Sequence, residues 1–334
     1  MFNAEEVRTA LFGRIGWTKD GSSQVELSEE NKKSRSSRYF QDFHRAVVLD
    51  NIESNMPTGI EINNFLTDLQ NSAILNSLSA VFNEDILIEQ TFILNRKSER
   101  QIPVANAKKV GYKITLADNH SHCAVIKNVS LLFGDSGTIR LTLQHSNAGV
   151  LFEKDVEVEA NKETIVDFEQ TLFYNSPKYK GGYFLLWYES ELKPIEFLYP
   201  DFNKTLLFRA EPFEATDFNN LSYTSKSYGL NMEVCVYRDF TEIIKQNQSM
   251  FDNVVGLQMS ANVIEMIINS TRSNKTERMT KEALQTLYND LNIAFSSPEF
   301  PYSTGIRNQI AREIKRLKNN LFPKSKSQTI TVAP

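Results

Sequence analysis

The chain has 334 residues, enough for two or three cores at about 100–200 residues per domain. A hydrophobic share of 41% with 23% charged residues excludes a disordered chain. Lys and Arg (37) nearly balance Asp and Glu (41), and the net charge of −4 excludes wholesale attraction to nucleic acid or membrane.

Two cysteines, Cys123 and Cys235, make no disulfide framework and fit a reducing compartment. No run of about 18 apolar residues offers a bilayer span. The N-terminal segment carries Glu5 and Glu6 before any basic residue, so it does not read as a signal peptide. With 22 Phe and 12 Tyr, the aromatic weight suits a sandwich core and subunit contacts, where rings bury much area for few rotatable bonds.

Residues 1–60 read as an extended N-terminal arm with one short helix, in which Val7, Leu11 and Ile15 recur at a four-residue spacing. Asp20-Gly21-Ser22-Ser23 breaks that helix, and a polar stretch from Ser28 to Ser37 leads to Tyr39, Phe40 and Phe43. Residues 61–107 read as a helical segment, with Ile62, Phe65, Leu66, Leu69, Ala73 and Ile74 marking its apolar stripe to about Phe82. Beyond Pro103 the period becomes two. Tyr112, Ile114 and Leu116 alternate with polar residues, as do Val129, Leu131 and Phe133, then Ile139, Leu141 and Leu143, and later Met232, Val234 and Val236. With turns at Gly134–Gly137, Asn147–Gly149 and Gly181-Gly182, residues 108–238 predict an antiparallel β-sandwich of the jelly-roll or immunoglobulin-like kind. Tyr183–Tyr188 is apolar on both faces and predicts a central strand. The fold class is therefore α+β, a sandwich flanked by N- and C-terminal helical segments.

Helical period returns in residues 239–322. One long helix is predicted from Asp239 or Thr241 to about Ser270, with Gly256 signalling close packing near its middle. Two more follow, at about 280–293 and 304–321. Residues 323–334 read as a flexible tail. No repeat of 20–50 residues is present.

Chemistry finds few footholds. Asn119-His120-Ser121-His122-Cys123, with His145 or Cys235 as a further ligand, is the one metal-like cluster. It lacks CxxC-type spacing and adjoins a turn composition, so a solvated loop is the leading reading. There is no G-x-S-x-G elbow and no phosphate loop; Gly13-Arg14-Ile15-Gly16 has neither GK[ST] nor the strand-then-helix context. A Cys123–His145 pair and a Glu189–Glu191 carboxylate pair read as ordinary core and solvated edge. No catalytic residue, metal or cofactor is expected.

Two surfaces remain. Trp17, Tyr39, Phe40, Phe43, Tyr183 and Trp187 are candidates for an interface, and Tyr183, Trp187 and Tyr188 for a sugar-stacking platform, with a buried core or subunit contact the leading reading. The last helix carries Arg307, Arg312, Lys315, Arg316 and Lys318 against Glu313 alone, followed by Lys324 and Lys326. These charges suit water, an acidic partner, or DNA.

Several segments resemble virion structural proteins (head–tail connector, neck or tail) of tailed phages infecting Bacteroidota. They are Leu11–Trp17, Ser37–His44, Val47–Ile52, Gly181–Phe184 before Glu189–Leu192, Tyr237–Thr241 and Thr271–Asn274. The resemblance is scattered along most of the chain and stops short of the basic helix and the Gln328–Pro334 tail. It implies a virion protein made in the host bacterial cytoplasm, with no membrane association, that assembles as a homo-oligomer into a ring. Its partners would be neighbouring portal, adaptor or tail subunits, with packaged DNA close by. A carbohydrate- or receptor-binding sandwich module is the alternative, and a hydrolase a distant third.

Overall fold

The computed structural model describes residues 1–19, 25–44, 49–83, 85–92, 96–102, 109–117, 121–198, 207–270, 281–292 and 305–322. The breaker at 20–23, the Pro103 boundary, Thr271–Asn274 and the tail with Lys324 and Lys326 lie outside them. The chain divides into two compact units, Val7–Asn83 with Ile243–Pro334 and Met1–Glu6 with Glu84–Glu242.

The helical unit joins the two flanks of the chain. Its first half holds α1 (Ala4–Leu11), β1 (Ile15–Gly16), α2 (Glu29–Lys32), β2 (Arg38–Tyr39), α3 (Leu49–Asn55) and α4 (Ile62–Val81). Its second half holds α5 (Thr241–Gln246), α6 (Asp252–Asn269), α7 (Lys281–Asn292) and α8 (Ile306–Leu321). Two residues of α5 and the start of α1 belong to the other unit. α6 packs against α4, α7 and α8. It can do so because buried residues recur round its whole circumference, from Val254 and Val255 to Ile264 and Ile267. Glu61 caps α4, its carboxylate accepting from the Asn63 and Asn64 N–H groups, and these bonds lower its pKa.

Three expectations change here. The arm at 1–60 is folded: β1 and β2 pair in parallel, Ile15 with Arg38 and Gly16 with Tyr39. Trp17 and Phe40 are fully buried with rings 5.4 Å apart, so both are core and not contact surface. The long helix from 239 is interrupted at Asn247, whose side chain donates to the Ile243 carbonyl (2.8 Å) and whose backbone leaves helical values at φ −117° and ψ 32°. Gly256 does mark close packing, since a side-chain carbon there would stand 2.3 Å from the Phe43 ring.

The β unit is an antiparallel sandwich. Its strands are β3 (Leu87–Phe92), β4 (Arg96–Gln101), β5 (Lys109–Leu116), β6 (His122–Leu131), β7 (Gly137–His145), β8 (Gly149–Val158), β9 (Thr164–Leu172), β10 (Asn175–Ser176), β11 (Tyr179–Lys180), β12 (Phe184–Glu189), β13 (Ile195–Leu198), β14 (Phe208–Ala215), β15 (Ser222–Tyr223) and β16 (Leu230–Arg238). Six form a sheet in the order β15-β14-β5-β12-β7-β8, and four a second sheet in the order β3-β16-β6-β9. The remaining four make the pairs β10-β11 and β13-β4. β12 is central, between β5 and β7. Alternate residues of both large sheets, among them Tyr112, Leu141, Leu186, Ile126, Phe168 and Val234, share one core. β3 and β4 correct the reading of 61–107 as wholly helical.

Candidate functional site

Period two gives β12 two different faces. Phe184, Leu186 and Tyr188 point into the sandwich core, whereas Leu185 and Trp187 point out of it with Tyr183 beside them. A solvated sheet face is ordinarily polar, yet here Leu185, Phe213 and Ala215 are buried beneath Tyr183, Trp187, Phe218 and Leu221. Gly111, opposite both Trp187 and Phe213, makes room for them: a side-chain carbon there would stand 2.0 Å from the Leu186 carbonyl oxygen.

Two lysines of β5 complete the patch. Lys109 Nζ lies 5.3 Å from the centre of the Trp187 ring and 4.4 Å from that of Phe218, rings that meet edge-on at 5.0 Å. Lys113 Nζ lies 4.7 Å from the Tyr183 ring and 5.4 Å from Tyr223, and it donates to the Tyr223 hydroxyl at 2.8 Å. Both ammonium groups are thus held by π faces. The indole N–H of Trp187 is buried with no acceptor. For a sugar platform the arrangement is unfavourable, because the lysines occupy the ring faces on which a pyranose would stack. Lys109, Lys113, Phe218 and Tyr223 escaped the sequence reading. The signal was there: Lys109, Gly111 and Lys113 are the alternate face of the strand recognised through Tyr112, Ile114 and Leu116.

The metal-like cluster dissolves. Asn119 and His120 lie outside the described residues, and His122 and Cys123 open β6, both buried, which corrects the solvated-loop reading. His122 Nε2 meets the Leu207 carbonyl at 3.0 Å. Burial pushes the Cys123 thiol up to about 12, with the Asp239 carboxylate adding to it. That keeps it a thiol at neutral pH. Cys235 is also buried, and desolvation raises its pKa too. His145 is stacked on Tyr179 with centroids 3.9 Å apart, shares Nε2 with the Gly181 carbonyl (2.9 Å) and accepts from the Asn147 N–H at Nδ1 (3.1 Å). Burial lowers its pKa. Glu189 and Glu191 are exposed. Among the described residues no three His, Cys, Asp or Glu side chains converge as metal ligands, and no helix is long and apolar enough to cross a membrane.

The helical unit has a cavity of about 490 Å³ lined by Arg38, Asp42, Phe43, Asn253, Leu257 and Arg312 among others. The Arg38 guanidinium lies 4.8 Å from the Phe43 ring centre and donates to the Asn253 side-chain oxygen. Tyr39 is half-buried, with Lys19 Nζ 5.7 Å from its ring centre. The basic residues of α8 are largely engaged within the unit. Arg307 pairs with Glu265 (2.6 Å), Arg316 with Glu313 (2.7 Å), and Lys318 donates to Asn83 (2.6 Å). Arg307, Arg312, Lys315 and Arg316 are all exposed.

No family description and no curated protein matches the chain. Among solved structures it aligns with three domains of the flagellar cap protein FliD from Escherichia coli. That alignment covers 82% of this chain and 89% of the other, at 12% identity and a TM-score of 0.16. A score so low supports neither a shared fold nor a shared role.

Proposed function

We propose that this chain is a structural virion protein of a tailed phage, a neck, head–tail connector or tail component that assembles into a ring through protein–protein contacts. The observation that carries the reading is the resemblance of Leu11–Trp17 and Ser37–His44 to such proteins, joined to where those segments lie. They pair as β1 and β2 and supply Trp17 and Phe40 to the core of the helical unit. Arg14 of the first segment grips Asp252 of α6 through two bonds, 2.6 and 2.8 Å. The segments that resemble virion proteins are thus framework rather than ornament.

In this reading the partners are further copies of the chain and neighbouring portal, adaptor or tail subunits. The exposed basic groups of α8, Arg307, Arg312, Lys315 and Arg316, are the ones offered to an acidic neighbour or to packaged DNA. Peptide mass spectrometry of purified particles, with native mass spectrometry of the isolated chain, tests it. The chain should be a stoichiometric particle component and form a ring-sized homo-oligomer. A strictly monomeric chain absent from particles would overturn the proposal.

A further inference from the structure

We infer that the outer face of the six-stranded sheet is a self-complementary surface on which a second copy of this chain docks about a two-fold axis. The third strand of the sheet, β5, carries the ring-held cations Lys109 and Lys113 on this face. Among the described residues neither has a carboxylate within ion-pair distance; Glu189 and Glu211 lie opposite them in register, Glu211 being paired with Arg209. Three strands away lies the edge strand β8, whose inner residues include Val156 and Val158 and whose outer residues include Glu153, Asp155 and Glu157. Asp155 is ion-paired with Arg140 at 2.7 Å, and Glu153, which accepts from the Thr142 hydroxyl at 3.4 Å, adds its charge to the same guanidinium. Glu157 is exposed.

The register fixes how these groups would meet. Gly111 pairs with Trp187, Trp187 with Thr142, and Thr142 with Glu153. Glu153 therefore stands level with the midpoint between Lys109 and Lys113, three strands away, about 14 Å. With two lysines on β5 and Glu153 on β8 at a height between them, the face is complementary to a second identical face turned over about an axis parallel to the strands, between β12 and β7. That operation sets β5 of each copy over β8 of the other, so both charge contacts form at once, as an isologous interface requires. Trp187 then meets Thr142 of the second copy, and the apolar outer face of β12 gains the cover that a solvated face would not need.

The contact stands apart from the virion reading, and its test is separate. The full chain is weighed by native mass spectrometry and sedimentation equilibrium as wild type, as Lys109→Glu with Lys113→Glu, and as Glu153→Lys with Glu157→Lys. Each double variant should halve the mass of the wild-type species and weaken its self-association at least about tenfold. An equimolar mixture of the two variants should restore it, because each reversed patch then faces its complement. A wild-type monomer at tens of micromolar, or an oligomer whose mass neither variant changes, overturns the inference. An association lost in both variants but not restored on mixing also overturns it, since that would be misfolding and not charge pairing.

Discussion

Between β5, β7 and β12 on one side and β6, β9 and β16 on the other, the β unit buries mainly aliphatic and aromatic side chains. Two of the tyrosine hydroxyls that intrude find a backbone carbonyl, Tyr112 at Leu230 (3.1 Å) and Tyr188 at Tyr228, and a third, Tyr228, donates to the Glu214 carboxylate. The core of the helical unit is wired with polar groups. Gln70 donates to the Ile15 carbonyl at 3.1 Å, Ser77 to that of Val254 at 3.4 Å, and Arg14 binds both Asp252 and Gln248. Trp17, Asn31, Gln41, His44 and Asn55 each keep a buried polar atom without a partner there, against Trp187 alone in the β unit, among the described residues. An apolar core loses stability mainly by losing volume. A wired one loses it when a partner is removed and a charge is stranded.

That contrast is sharpest at Arg14. Its pKa is raised by the hydrogen bonds to Asp252, a carboxylate that is itself almost fully buried. Arg14→Met should cost about 3 kcal/mol, because it leaves that carboxylate without its cation. Each unit holds one of the two tryptophans, Trp17 or Trp187. Urea unfolding read by Trp17 fluorescence in a Trp187→Phe background measures the loss. Adding Asp252→Leu should recover most of it, since an apolar pair strands no charge. If the double variant is no better than Arg14→Met, the wiring is not what holds this core.

Gly256→Ala comes next. The added carbon meets the Phe43 ring at 2.3 Å, and overpacking of this kind costs about 1–3 kcal/mol, against a gain of about 1 kcal/mol in helix propensity. The same substitution made in a Phe43→Ala background should change sign and stabilise. A destabilisation that persists there would mean the ring is not the obstacle.

The two units also differed in what their residues disclosed. Alternation exposes a strand within a few residues, so β5, β6, β7, β12 and β16 were legible, as was the central place of β12. Helix periodicity located α4, α7 and α8 equally well. Invisible were features that depend on which segment meets which. Trp17 and Phe40 have the chemistry of contact residues, and only the pairing of β1 with β2 and the packing of α6 make them core. Nothing local in Leu87–Phe92 marks an edge strand, because β3 is defined by its pairing with β16. The lysine–aromatic patch was half legible: Tyr183 and Trp187 stood out as rings, whereas Lys109, Lys113 and Tyr223 acquire meaning only once β5, β12, β14 and β15 are neighbours.

The smallest expected effect tests whether the apolar unit has a stranded charge of its own. His145 sits among Tyr179 and Phe184, and burial holds its pKa below the usual histidine value. The folded chain therefore keeps the ring neutral where the unfolded chain, titrating near about 6.5, takes up a proton. More protons bind to the unfolded state, so stability rises with pH in that window. The contribution is complete above the unfolded value and is lost as pH falls through the native one. Urea midpoints followed by Trp187 in a Trp17→Phe background should drop as pH is lowered from neutrality into the acid range. His145→Gln, which can still donate to the Gly181 carbonyl, should flatten that slope. An unchanged slope in the variant would assign the acid sensitivity to the carboxylates of the β unit, the buried Glu233 and Asp239 among them.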